Sequence, residues 1–323
     1  MSTRILALCG GVGGAKLAFG FESLLKTKLL DELLIAVNTG DDFEHLGLTI
    51  CPDLDTVTYT LAGIVNTETG WGRADESAHC MEALRQLGGE DWFYLGDKDL
   101  ALHLERTRLL KSGWTLTQVS QHFAERLGIH AQIIPMCDQP APTLVHTTEG
   151  VLPFQHYFVR KRCEPVLKSL EYGGENTQAN PSILEAICGA EDAGLTAIVI
   201  CPSNPYLSVD PLLALPGVRD GLAKTKVPVI AISPIVGGQA LKGPTAKIMK
   251  ELGVEVSSQS IAAHYRDFLD CLVIDRGDAS ESEAVASYLP HVELAATVMS
   301  GDEDKLALAG RVLDIAKTLN HIK

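Results

Sequence analysis

No uninterrupted apolar run in the 323 residues approaches the roughly 18 needed to cross a bilayer. Met1-Ser2-Thr3-Arg4 leads straight into a short apolar run, without the small-residue cleavage site of a secretory leader. Basic side chains are scarce: 27 Lys and Arg stand against 41 Asp and Glu, a net charge of −14. A surface of that sign repels nucleic acid and anionic membrane, so neither is an expected partner. No two of the eight cysteines form a C-x-x-C pair, and Cys201 directly follows the apolar Ile198-Val199-Ile200. Reduced, buried thiols of a cytoplasmic protein are the expectation, in place of a disulfide framework or a zinc site.

What is present is alternation. Apolar runs at Ile5–Leu8, Leu33–Val37, Trp92–Leu95, Ile133–Pro135, Ala197–Cys201, Val227–Ser233 and Cys271–Asp275 predict strands. They lack strict polar alternation, as suits parallel strands covered on both faces. Helical periodicity marks Ala15–Leu30, Asp55–Val65, Ser77–Leu87, Leu100–Lys111, Thr117–Leu127, Pro211–Ala223, Thr245–Leu252 and Ala262–Leu269. The predicted fold is therefore α/β, a Rossmann-like doubly wound, mainly parallel sheet. From Pro135 to Pro165 the rhythm breaks into Pro, Thr and aromatics. Phe154, His156 and Phe158 alternate with Gln155 and Tyr157 like a half-exposed ribbon. The organisation expected is a first part of the core over 1–134, a small β-rich inserted lobe and linker over 135–180, and the rest of the core over 181–323. Tyr172-Gly173-Gly174-Glu175-Asn176 opens the linker.

Chemistry-bearing residues gather after the predicted strands. Gly10-Gly11-Val12-Gly13-Gly14-Ala15-Lys16 lies between a strand and a helix. Glycines there let a phosphate approach the free N–H groups of a helix start, and Lys16 could neutralise it. The loop is not a dinucleotide fingerprint, which from Gly11 would need glycine at position 16. Nor is it a Walker A loop, since Leu17 follows Lys16. A tight turn with a surface lysine is the plainer alternative.

Asn38-Thr39-Gly40-Asp41-Asp42 ends the second strand, where such folds place acids that meet a ribose or a metal. Cys51-Pro52-Asp53-Leu54-Asp55-Thr56 follows. Asp53 and Asp55 would face one way in an extended segment, and Asp55 could also serve simply as a helix N-cap. With Asp41 and Asp42 near in sequence, these carboxylates could hold Mg²⁺ through oxygen ligands. In Leu95-Gly96-Asp97-Lys98-Asp99, a helix from Asp97 puts Asp99, His103 and Arg106 on one face. Pro202-Ser203-Asn204-Pro205 is a rigid loop of donors after another strand. Ser233 to Gly238, with Lys242-Gly243-Pro244 and Lys247, could form a second phosphate region or a flexible surface loop. Arg160-Lys161-Arg162 reads as a solvated face or as the rim of an anion site. Trp71 could cover a planar ligand or only fill its loop.

These segments, with Gly70–Gly72, Pro135-Met136 and Phe154-Gln155 among them, resemble in order the 2-phospho-L-lactate transferase (CofD) family over Ile5 to Asp275. PDLDT followed by LGDxD is its most specific part. The resemblance implies a Mg²⁺-dependent transferase of coenzyme F-420 biosynthesis, working as a cytoplasmic homodimer. Its donor would be a guanylyl diphosphate ester of a phosphorylated acid (lactyl, enolpyruvyl or glyceryl). The acceptor would be the ribityl hydroxyl of the deazaflavin Fo, and GMP would leave. For that reaction the residues read above are expected to hold Mg²⁺ on Asp41, Asp42 and Asp55, with Asp55 or Asp53 orienting the hydroxyl. Gly10, Gly11, Gly13, Gly14, Lys16, Asn38, Thr39, Asp97, Asp99, His103, Arg106, Ser203, Asn204 and Lys247 would contact substrates. Asp55 falls where the family has an acid contacting Fo. The residue before Leu95-Gly96-Asp97, usually Lys or Arg and also at Fo, is here Tyr94. A non-catalytic nucleotide-sugar-binding regulator of related fold is the alternative.

Overall fold

Mostly apolar strands build a sheet with two covered faces. The computed structural model describes residues 2–173, 177–189, 194–241 and 243–321. Lys242 and the Gly174–Asn176 part of the expected linker lie outside the described residues.

The chain begins β1 (Arg4–Cys9), α1 (Gly11–Lys26), β2 (Glu32–Val37), then a hairpin of β3 (Phe43–His45) and β4 (Leu48–Ile50). Four helices follow, α2 (Pro52–Leu61), α3 (His79–Gln86), α4 (Asp97–Lys111) and α5 (Leu116–Arg126), before β5 (Gln132–Pro135). Next come β6 (Thr143–Thr147), β7 (Gly150–Pro153), β8 (Leu167–Tyr172), α6 (Pro181–Cys188) and β9 (Ala197–Ile200). Then α7 (Asp210–Leu213) and α8 (Val218–Lys224) lead to β10 (Val229–Ile232) and the hairpin β11 (Ile235–Val236) with β12 (Gln239–Ala240). The chain closes with α9 (Thr245–Glu251), α10 (Ser258–Tyr265), β13 (Cys271–Asp275), α11 (Ser282–Ala286), β14 (His291–Ala295) and α12 (Asp302–Asn320).

Seven strands form one sheet in the order β14-β13-β10-β9-β1-β2-β5, and every pairing is parallel. Period-two alternation sends Leu6, Leu8, Ile198, Ile200 and Leu272 into one apolar layer. It sends Ile5, Ala7, Val199, Ile230 and Val273 into the other. Each such side chain contributes about 1.5–3 kcal/mol by leaving water. The strand order reverses between β1 and β9, so the crevice beyond their C-terminal ends is where ligands bind in this architecture.

A second, antiparallel sheet β7-β6-β8 occupies the predicted insert. Val145, Phe154, Tyr157 and Leu167 from this region join the same apolar layer as Leu6 and Ile198. The expected ribbon at Phe154–Val159 is instead a helical turn of the wider π type over His156–Arg160. Phe154 and Phe158 stack at 5.4 Å, the i, i+4 contact of a helix and not the i, i+2 contact of a strand. Trp92–Leu95 is not a strand either. Trp92 and Phe93 turn inward to Phe43 and His45, with Trp92 5.1 Å from the His45 ring, and α4 follows at once. Side-chain packing there replaces strand pairing.

Candidate active site

Three strand tips meet at the crevice. A Cβ on Gly13 would overlap the Pro202 carbonyl oxygen, and one on Gly14 would stand 2.6 Å from Ser203 Oγ. Glycine is therefore what lets the tip of β9 press against the start of α1. Ser203 Oγ donates to the Gly10 carbonyl at 2.8 Å and accepts from the Gly10 amide at 3.2 Å. Ser203 thus clamps the two tips together. Asn204 Oδ1 accepts from the amides of Tyr206 and Leu207 at 3.0 and 3.2 Å, while its buried Nδ2 has no partner.

α1 begins at Gly11, earlier than Ala15, because Gly11 takes φ +61° to turn the chain into the helix. Its amide donates to Asp53 Oδ1 at 2.8 Å. The next first-turn amides, Val12 and Gly13, have no intrahelical acceptor by helix geometry and are the ones left for an anion. Lys16 does not turn to that loop: its Nζ donates to the Met299 carbonyl at 2.6 Å.

The acidic loop packs against the same point. Asn38 Nδ2 faces three acceptors: Asp53 Oδ2 at 2.9 Å, Asp41 Oδ1 at 3.2 Å and the Leu207 carbonyl at 3.2 Å. Its Oδ1 accepts from the Gly40 amide at 2.8 Å. Thr39 Oγ1 lies 3.4 Å from Cys137 Sγ. Burial, then the neighbouring Asp53, pushes the Asp41 carboxyl well up. Burial does the same to Asp42, against the hydrogen bond of Cys51 and the charge of Arg106. Asp53 is pushed up by burial to about 6, although Asn38 and Gly11 favour its charged form.

Asp53 and Asp55 do not face one way. Pro52 at the first helical position starts α2 early, so Cys51 is the N-cap and both aspartates lie in the first turn. Two residues of helix turn a side chain about 200°. Asp53 accordingly meets Gly11, and Asp55 meets Arg106 through two hydrogen bonds, one of them from Nη1 to Oδ2 at 3.2 Å. Asp99, His103 and Arg106 share one face of α4, as their spacing predicts. His103 Nδ1 is 3.1 Å from Arg106 Nη1 and 3.7 Å from Asp55 Oδ2. Its Nε2 is 3.3 Å from Asp99 Oδ2. The Tyr59 hydroxyl donates to Asp99 Oδ1 in a short bond. Burial opposes ionisation of Asp99, but His103 and then Tyr59 hold its carboxyl below the usual range. Burial raises the Tyr59 hydroxyl, helped by Asp55 and Asp99, so it stays protonated as a donor.

Several expected contacts are taken up elsewhere. Asp97 accepts from Ser77 Oγ at 2.6 Å and from the amides of His79 and Cys80, so it fastens the start of α3. Tyr94 is exposed. Lys247 Nζ binds Glu251 Oε1 at 2.5 Å, Tyr157 OH and the Pro165 carbonyl, stapling α9 to the lobe. Gly237 and Gly238 are no phosphate loop. They turn the β11–β12 hairpin at φ +60° and +68°, and the Gly237 amide donates to the Asp278 carboxylate. Lys161 pairs with Glu149 at 3.0 Å, and Arg160 lies over Trp92.

The set Asp41, Asp42 and Asp55 does not converge as three metal ligands, because Arg106 already neutralises Asp55. Among the described residues, the one group of three potential ligands within 4.8 Å of one another is Asp55, Asp99 and His103. Arg106 sits on that group and makes it a poor cation site. Asp41, Asp42 and Asp53 do not form such a group either, although the Asn38 Nδ2 holds Asp41 and Asp53 at one point. All three are pushed toward protonation, and the buried Asp42 Oδ1 has no partner. Mg²⁺ is commonly held by one or two carboxylates, with phosphate and water completing its shell. The sequence reading overlooked Tyr59 and Glu76. Tyr59 is four residues after Asp55, the same helical signal that marked Asp99 and His103. Glu76 accepts the Lys98 and Asp99 amides at 2.8 Å, capping α4 from a loop with no motif of its own.

The chain is similar to known proteins over nearly its whole length. The family described as "2-phospho-L-lactate transferase CofD" matches residues 5–312. A 2-phospho-L-lactate transferase of Methanosarcina mazei is 36% identical, covering 94% of this chain and 98% of the relative. A phosphoenolpyruvate transferase of Streptomyces avermitilis is 38% identical over 96% of this chain and 99% of its own length. One from Kitasatospora aureofaciens is 34% identical over 98% and 99%. The crystal structure of a Bacillus halodurans protein of the upf0052 family superposes with a TM-score of 0.64, covering 97% of this chain and all of that one. At 14% identity it shares the fold.

Proposed function

The chain belongs to the CofD family, transferases of phospho groups in coenzyme F-420 biosynthesis, and from that premise we propose the reaction it carries out. It transfers a 2-phospholactyl group, or its enolpyruvyl or 3-phosphoglyceryl analogue, from a guanylyl diphosphate donor to the ribityl hydroxyl of Fo. GMP is released. The observation that carries the reading is the Asn38 amide, which ties Asp41, Asp53 and the Leu207 carbonyl into one crevice beside the glycine loop.

The Val12 and Gly13 amides bind phosphate oxygens of the donor. Asn204 Nδ2 offers a further donor at the tip of β9, buried and unused within the protein. Asp41 and Asp53, which meet at the Asn38 amide, would hold Mg²⁺ together with phosphate oxygens of the donor. The ion would supply charge neutralisation on the diphosphate, which eases both attack and departure of the phosphate leaving group. Arg106 fixes the Asp55 carboxylate from one side. Asp55 keeps lone pairs with which to orient the acceptor hydroxyl and take its proton. Asp99, His103 and Tyr59 hold that pair in place. Positioning of this kind carries most of phosphoryl-group catalysis, and no covalent enzyme intermediate is needed.

The same reading has the enzyme working as a cytoplasmic homodimer. Among the described residues no helix is long and apolar enough to cross a membrane. Relatives named for phospholactate and for phosphoenolpyruvate match at similar identity, so donor identity is an experimental matter. Purified protein is incubated with Fo, Mg²⁺ and each of the three donors, and products are read by liquid chromatography and mass spectrometry. One donor should give the glutamate-free F-420 precursor and equimolar GMP, and chelation should stop it. No product from any donor, together with no binding of Fo, would end this reading.

A further inference from the structure

Arg73 has no role in the arrangement above, yet it stands at its edge. Its guanidinium lies 5.7 Å from the centroid of the Tyr59 ring, and Tyr59 in turn donates to Asp99. Its Nε is buried without a hydrogen-bond partner. Among the described residues, no carboxylate pairs with this side chain. That is unexpected in a protein with 41 acidic side chains and a net charge of −14. The two acids that act on Tyr59 are already engaged: Asp55 by Arg106, and Asp99 by Tyr59 and His103.

The backbone around Arg73 is also fixed in place. Val65 and Arg73 form an antiparallel bridge, and the Ala74 amide donates to the Ile64 carbonyl at 2.8 Å. Just beyond, Glu76 takes two amides of the α4 start, and the Asp97 amide donates to the Ser77 carbonyl at 3.0 Å. The guanidinium is thus presented to the site by a braced segment. A buried N–H left unpaired is costly, and such groups in a native structure are commonly completed by a ligand.

We propose that Arg73 is a substrate-binding residue that takes an oxyanion of the phosphorylated acid through the planar fork of its guanidinium. This deepens the function proposed above and rests on it for the identity of the acid. Arginine suits the task because it stays charged and pairs bidentately with carboxylate or phosphate. The Tyr59 ring, 5.7 Å from the guanidinium, adds cation–π attraction.

The test compares the full-length wild type with Arg73→Met, which keeps the packing on Tyr59, and Arg73→Lys, which keeps the charge. Binding of 2-phospho-L-lactate is followed through the fluorescence of the nearby exposed Trp71 and by calorimetry, with lactate and inorganic phosphate as separate arms. Arg73→Met should weaken 2-phospho-L-lactate about tenfold or more, and Arg73→Lys by less, as expected for a charge-assisted pair. Loss confined to the lactate arm assigns the carboxylate, and loss confined to the phosphate arm assigns the phosphate. In turnover, KM for the donor should rise more than kcat falls. Equal affinity of wild type and Arg73→Met for all three probes overturns the proposal. These titrations read Arg73 even if no donor yields product with Fo, the result that would instead sink the transferase reading.

Discussion

The Asp53 carboxylate receives the Gly11 amide at 2.8 Å, so the protein's own acid occupies the first donor of α1. Carboxylates at a helix start are normally held low by the dipole. Here burial outweighs the dipole and the hydrogen bonds, and Asp53 is pushed up to about 6. A carboxyl whose folded value is raised contributes stability below its unfolded value near 4, and that contribution is lost as pH rises through 6. Asp41 and Asp42 shift in the same direction. In chelator, the melting temperature of the wild type should therefore fall relative to Asp53→Asn as pH goes from 4 to 7.5. The Asp53 contribution is up to about 3 kcal/mol. Added Mg²⁺ should recover more of the wild type's stability at pH 7.5 than at pH 5. A wild-type-minus-variant difference that stays level across that range would show that Asp53 titrates normally.

Asp55 and Arg106 are both buried, and each is the other's main counter-charge. Removing one partner of such a pair strands the other, at a cost of about 3–5 kcal/mol. Arg106→Ala should accordingly lower the melting temperature sharply and remove activity. Asp55→Asn keeps the shape and one acceptor, so its stability loss should be smaller, while turnover should fall about a hundredfold or more. Combining Asp55→Asn with Arg106→Met should destabilise less than the two single effects added, the mark of direct coupling. Strict additivity in thermal or urea melts would contradict the pairing seen between Asp55 and Arg106.

The sheet was legible because its strands are covered on both faces and so read as apolar runs. The face of α4 was legible because i, i+4, i+7 spacing survives any tertiary context. Two kinds of feature did not read out. Phe154 to Val159 carries a pattern compatible with period two, but the Phe154–Phe158 stack and the burial of Tyr157 select a helical turn. The roles of Asp53 and Asp55 depended on where α2 starts, and one proline three residues upstream of the expected start turned them to opposite partners. Lys16 and Lys247 looked like phosphate ligands from composition alone. Their ammonium groups are taken by the Met299 carbonyl and by Glu251, contacts 283 and 4 residues away in sequence, of which only the second leaves a local signal.

The glycine loop separates two reasons for glycine, and each predicts its own mutant. Gly11 needs none of its missing Cβ for space, since the nearest atom to an added one is Ser208 Oγ at 3.8 Å. It is there for its φ of +61°. Gly11→Ala should cost about 1 kcal/mol in strain and leave the crevice shape nearly unchanged. Gly13 has no such backbone demand, but its added Cβ would overlap the Pro202 carbonyl oxygen, a backbone atom that cannot swing aside. Gly13→Ala must part the tips of β1 and β9, break the Ser203 clamp on Gly10 and misplace the phosphate-facing amides. Turnover should then fall at least a hundredfold, since a displacement of about 1 Å at a positioned group already costs that much. Steady-state rates and melting temperatures of the two variants decide it. A Gly13→Ala enzyme no worse than Gly11→Ala would mean that the close approach of the two strand tips is not what organises the site.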